Sequence, residues 1–271
     1  MGTPLYGVQG PSGIPLANRS SPFKTLQSRR RGPQLHITLN RPRAANRVNA
    51  QMALELAELA ETANRDDAVR VVVLSGRGSA FSSGWEAVRA RASGQQGLLA
   101  AASIARIEKP VIAAINGDAV GQGLELALAA DLRIAVRGAR FGLPHLSRGA
   151  MPWDGGTQRL PRIVGRAKAM ELLLTGEIID AQEARRIGLV SRTVEPEELR
   201  ELADRVAVQI AGAAPVAARY AKEAVTAGAD IPLADGMRLE ADLSILLHTT
   251  RDRAEGIRSF FERRQPRFRG R

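Results

Sequence analysis

The sequence predicts an α/β fold with a largely parallel sheet, and three observations carry that reading. Short apolar runs, "VRVVVLSG" (69–76), "PVIAAING" (110–117) and "LRIAV" (132–136), are separated by helical segments. Strands buried on both faces read as near-continuous apolar runs, and covering both faces takes helices between them. From Ala181 onward the pattern changes to one amphipathic helix after another, and 44% apolar residues in a chain of 271 supply a sizeable core for one large domain or two small ones.

Residues 1–23, "MGTPLYGVQGPSGIPLANRSSPF", are rich in Gly, Pro and Ser and show no periodicity, so a flexible leader is expected, set at 1–30. It lacks the basic-then-apolar order of a secretory signal, and Tyr6 breaks the myristoylation pattern. Order is expected to begin near "QLHITLN" (34–40), an alternating strand. The segment 49–67 has helical spacing, with Leu54 and Ala57 or Leu56 and Leu59 on shared faces. The main body is expected over 31–195 and a helical region over 196–271, whose apolar stripes suit either a trimerisation layer or a domain cap. No internal sequence repeat is visible.

Composition narrows the chemistry. The chain has no cysteine, which removes disulfides, thiolate catalysis and thiolate metal sites together. Three histidines, His36, His145 and His248, make a histidine-rich metal centre a poor fit, and no metal is expected. No apolar run approaches the ~18 residues of a membrane span, so no membrane partner is expected and a cytoplasmic location is. The net charge is +11, yet the arginines are scattered apart from 29–31 and 263–271, and aromatics are only 4%. General arginine usage ranks first, a phosphate-bearing ligand second and nucleic acid a distant third.

One stretch calls for a use. In "VIAAINGDAVGQGLELALAAD" (111–131), Gly121 and Gly123 open an apolar helix whose first turn carries Glu125. The third glycine of a dinucleotide fingerprint is missing, because Leu126 stands there. The first N–H groups of a helix have no intrahelical partner, and that end of the dipole is positive. Small residues let a ligand approach those groups, and an enolate oxygen is the kind of charge they stabilise. Glu125 is then either a first-turn acid complementing the dipole, worth ~0.3–1 kcal/mol on a surface, or a buried carboxylate kept for chemistry. In the first turn its charged form is expected to be favoured, making it a base.

Six blocks extend this: "LNRPRAANRVNAQM", "VVVLSGRGSAFSSGWE", "KPVIAAINGDAVGQGLELALAADLRIA", "FGLPHLSRGAMPWDGGTQRLPRIVG", "AMELLLTGEIIDAQEARRIGLVSRTV" and "FFERRQPRF". In order and spacing, from about residue 34 to the C-terminus, they resemble the crotonase (enoyl-CoA hydratase/isomerase) superfamily. The resemblance implies a spiral of ββα units, a C-terminal helical trimerisation region, a homotrimer or dimer of trimers, and an acyl-CoA thioester as substrate with no separate cofactor. It places the two oxyanion N–H donors on Trp85 and Gln122, where relatives usually carry small residues; both side chains would reshape the acyl pocket. For coenzyme A and substrate contacts it points to Arg43, Ala45, Ser83, Glu86 and Gly121, with Arg263 and Arg264 reaching a neighbouring subunit's ligand.

The catalytic positions carry over unevenly. Glu125 matches the first glutamate of the hydratases, which hold a water between two. The second position is His145, a proton carrier or a pocket-filling ring. Asp154 stands where some isomerases and synthases of the family carry an acid, and it is either a second proton-transfer group or an N-cap for a helix near Gly156. Hydration or dehydration of an unsaturated acyl-CoA is the expected reaction. Double-bond isomerisation, other enolate chemistry, a catalytically silent acyl-CoA binder and an RNA-binding homologue remain as alternatives.

Overall fold

The computed structural model describes residues 23–86 and 99–271. Its main sheet has six strands in the order β1-β2-β3-β5-β7-β10, namely β1 (Leu26–Arg31), β2 (Gln34–Leu39), β3 (Val71–Gly76), β5 (Val111–Ile115), β7 (Leu132–Val136) and β10 (Arg192–Val194). From β2 to β10 every pairing is parallel, and only β1 runs antiparallel. The apolar runs read as buried strands are β3, β5 and β7, and β2 is the alternating strand.

β1 corrects the expectation that order begins near Gln34. "LQSRRR" hides a strand because only Leu26 is buried, while its arginines face solvent or carboxylates such as Asp66 and Asp204. Charge on an edge strand guards it against pairing with another chain.

A second sheet, in the order β4-β6-β8-β9, is built from very short strands: β4 (Ala80–Ser82), β6 (Asp118–Val120), β8 (Arg140–Gly142) and β9 (Ile179–Asp180). Each long strand β3, β5 and β7 leads directly into a short one, and then into a helix: α2 (Ala100–Ala105), α3 (Gln122–Leu128) and, after a 3-10 turn at Leu146–Arg148, α4 (Gly156–Val164). Three turns of the same ββα unit stack, so long strands pair with long and short with short. The helix read at 49–67 is α1 (Ala50–Arg65), capped by Asn49, whose side chain accepts from Met52 N at 2.9 Å. Leu56 and Leu59 are buried and Leu54 is exposed, so the Leu56–Leu59 face is the inner one.

Past α5 (Arg166–Thr175) and α6 (Ala181–Arg186), α7 (Leu199–Ala211) still belongs to the body, burying Leu199, Leu202, Ala203, Ala207 and Ala211 in the core. α8 (Pro215–Gly228) and α9 (Leu233–Leu247) pack on each other, with one buried side chain apiece, Val216 and Leu243. α10 (Arg251–Phe261) follows, and the tail beyond it returns to the body, where Arg70 donates to the Phe268 carbonyl at 2.7 Å. Val225, Leu233, Met237, Ile245, Phe260 and Phe261 remain exposed in one protomer. No helix among the described residues is long and apolar enough to cross a membrane.

Candidate active site

The second ββα turn builds the site. Between β6 and α3 the backbone turns at Gly121 with φ 58° and ψ −128°, a conformation L side chains rarely adopt. Gly121 donates to the Gly142 carbonyl at 2.8 Å and accepts from Leu124 N and Glu125 N, so the turn and the first helical turn are one unit. Gln122 is the first residue of α3, and its N–H has no intrahelical partner.

Trp85 arrives from the preceding unit. It forms an isolated parallel bridge with Val48, made through the Gly84 carbonyl and the Glu86 N–H. In extended backbone the Trp85 N–H therefore points the other way. A Cβ built on Gly121 would lie 3.5 Å from Gly84 Cα, and one on Gly84 would lie 3.9 Å from Gln122 N. The two expected donors are thus neighbours.

Glu125 is fully buried on α3. Its Oε1 accepts from Asp154 N at 2.9 Å and Gly156 N at 2.8 Å, while Oε2 has no partner among the described residues. Gly156 allows this approach, since a Cβ there would stand 3.0 Å from Oε1 and 2.8 Å from Pro152 Cβ. Burial pushes the Glu125 carboxyl up to about 7, against the pull of the Gly156 and Asp154 N–H groups, with the nearby Asp154 carboxylate adding to the rise. This corrects the expectation of a favoured charge: desolvation outweighs the helix end, and the group stands ready to give or take a proton near neutrality.

Asp154 is buried and occupied. Its Oδ2 accepts from Ala101 N at 2.6 Å and its Oδ1 from Ala102 N at 3.0 Å, so it caps the start of α2. Oδ2 also accepts from Gln122 Nε2 at 2.8 Å. The capping chemistry anticipated at this residue is present, but on a helix 53 residues upstream. α4 begins at Gly156, and its N-cap Gly155 supplies no side-chain cap.

His145 lies beside Gly121, with Cε1 and Nε2 3.8 and 3.9 Å from a Cβ built there. Burial lowers its pKa, the Leu143 carbonyl opposes that, and Arg148 adds to the lowering. His145 meets Trp153 edge to face at 5.8 Å, and Trp153 meets Trp85 likewise at 5.9 Å. The sequence reading missed Trp153. Its one signal was adjacency to Asp154 in "MPWDGG".

The remaining candidates divide. Ala45 is in the left-handed region at φ 47°, and its carbonyl accepts from Ser83 N at 3.0 Å, holding the loop after β4 to the 3-10 turn Pro42–Ala44. Arg43, in that turn, is exposed and forms no ion pair among the described residues. Glu86 is paired with Arg41 at 2.6 Å. Arg263 and Arg264 lie beyond α10; Arg264 grips Glu255 and Glu262, and neither arginine bonds to a residue around Glu125. Among the described residues no group of three or more His, Asp or Glu is placed to hold a metal.

Residues 33–271 match the sequence profile described as enoyl-CoA hydratase/isomerase. An (E)-benzylidenesuccinyl-CoA hydratase of Thauera aromatica is 42% identical over 245 residues, covering 87% of this chain and 95% of that protein. A crotonyl-CoA hydratase of Syntrophomonas wolfei is 40% identical, covering 86% and 93%. The crystal structure of an enoyl-CoA hydratase from Bacillus anthracis superposes with a TM-score of 0.86 at 37% identity, over 92% of this chain and 100% of that one. A profile match over most of the length, and relatives and folds that agree from end to end, place the chain in the enoyl-CoA hydratase/isomerase family and make it an enzyme of the crotonase type.

Proposed function

We propose that the enzyme adds water reversibly across the α,β double bond of an enoyl-CoA thioester, with Glu125 as its one acid–base group. The observation that carries this is the Glu125 carboxyl, buried beside two backbone donors and poised at about 7. The N–H groups of Trp85 and Gln122 hold the thioester oxygen. Glu125 takes a proton from water, the water oxygen bonds to Cβ, and the π electrons move to the thioester as an enolate. Glu125 then returns its proton to Cα, and every atom of the water is in the product. Hydratase names among relatives support this direction over isomerisation. Turnover of a panel of enoyl-CoA thioesters, lost in Glu125→Gln, is the test; turnover retained in that variant overturns it.

Arg43, exposed and unpaired, suits the 3′-phosphate of coenzyme A. Arg43→Ala is expected to weaken binding of CoA about tenfold and of dephospho-CoA hardly at all, since a guanidinium–phosphate contact is worth ~1–2 kcal/mol. Calorimetric titration with both ligands checks it, and equal losses would rule out that contact.

The active assembly is a homotrimer or a dimer of trimers. α8, α9 and α10 leave Leu233, Met237, Ile245, Phe260 and Phe261 exposed, more apolar surface than a lone protomer carries comfortably. Light scattering at micromolar concentration is expected to give three or six times the protomer mass of 29.1 kDa. A folded species at the protomer mass would contradict it.

A further inference from the structure

Among the described residues, the buried side-chain atoms without a hydrogen-bond partner are Ser82 Oγ, Gln122 Oε1, Glu125 Oε2 and His145 Nδ1. All four belong to the first turn of α3 or to the segments packed against it. A buried acceptor left unmade costs about 1–3 kcal/mol, so a cluster of them marks a place where a donor comes and goes.

Two of the four stand side by side. Gln122 and Glu125 are three residues apart on α3, hence on one face. Both are tied to Asp154, Gln122 through its amide nitrogen and Glu125 through the Asp154 N–H. Asp154 fixes which way the Gln122 carboxamide points. Its Oδ2 only accepts, and it already takes the Ala101 N–H, so the group facing it must be the amide NH2. Gln122 Oε1 is thereby turned away from Asp154, fully buried.

We infer that the Gln122 carboxamide oxygen, with Glu125 Oε2, holds the attacking water: a positioning residue whose side chain takes the place of a second catalytic carboxylate. The inference rests on the hydratase reading above. A water donating one hydrogen to Oε2 and the other to Oε1 keeps its lone pairs free for Cβ. The hydrogen on the Glu125 side is transferred, and the one on the Gln122 side stays on the product hydroxyl. Gln122 thus serves twice, by its N–H at the thioester oxygen and by its side chain at the water.

Gln122→Met keeps the length and the backbone N–H but deletes the acceptor together with the amide donor to Asp154, whose loss the pH midpoint reads separately. Wild-type and variant are compared for hydration of crotonyl-CoA, for binding of the saturated butyryl-CoA, and for the pH midpoint of turnover. A misplaced nucleophile costs about 100-fold. The expected result is a kcat reduced by about that factor, with butyryl-CoA affinity and the midpoint unchanged within experimental error. A kcat within about threefold of wild type overturns the inference. So does a loss accompanied by a moved midpoint or weakened binding, because Gln122 would then act through Asp154 and Glu125. Wild-type protein that hydrates neither crotonyl-CoA nor any other enoyl-CoA refutes the parent reading instead, and this inference with it.

Discussion

Glu125→Gln is expected to lower the rate of hydration by about 10³-fold while leaving the fold intact and, above neutrality, more stable. A positioned acid–base group contributes roughly 10²–10⁴ in rate. The glutamine oxygen can still accept from Asp154 N and Gly156 N, and its NH2 replaces an Oε2 with no partner among the described residues. The stability change follows from burial. Raised from 4.5 to about 7 in the folded state, the carboxyl prefers to be protonated there. Below pH 4.5 it is protonated folded or unfolded and costs nothing; between 4.5 and 7 the unfolded chain ionises first, and folding loses stability as pH rises. Above pH 7 the full penalty stands, about 3 kcal/mol at 1.36 kcal/mol per pH unit of displacement. Thermal unfolding of Glu125→Gln at pH 8 is therefore expected above wild type, with the gap closing toward pH 5. A variant no more stable than wild type at pH 8 would show that the carboxyl is not held in this state.

Asp154→Asn is expected to act on stability first. Three donors converge on the two carboxylate oxygens, from Ala101, Ala102 and Gln122. An asparagine must turn an NH2 toward at least one of them, leaving buried donors face to face at a cost of about 2–3 kcal/mol. For a chain of this size that is a fall in Tm of roughly 5–10 °C. Turnover falls with it, because the Asp154 carboxylate also holds the Gln122 carboxamide. Unchanged melting with abolished turnover would instead make Asp154 a proton-transfer group.

How much of this was legible follows from the range over which each feature acts. β3, β5 and β7 could be read because strands covered on both faces need apolar residues at every position. The ββα repetition was legible only through the resemblance and not from periodicity, since β4, β6 and β8 are three residues each, too short for any pattern, and the units share geometry without sequence. β1 was hidden by its arginines. At the site, Glu125 stood out as an acid in an apolar helix opened by glycines, a purely local signal. The raised carboxyl, the Asp154 cap on α2 and the Trp85–Trp153–His145 contacts depend on groups brought together from far along the chain. The resemblance located the positions; only the packing shows that Asp154 is occupied and that the Gln122 side chain faces inward.

The most direct test of a single carboxyl as the acid–base group is the pH dependence of kcat/KM for hydration between pH 5 and 9, in wild type and in His145→Ala. The free enzyme's essential base sets that profile. With Glu125 at about 7, the rate is expected to fall tenfold per pH unit below neutrality and to level off above it. The midpoint is expected to be the same when the imidazole is removed. A flat profile across neutrality, or a midpoint that disappears with His145, would contradict the assignment.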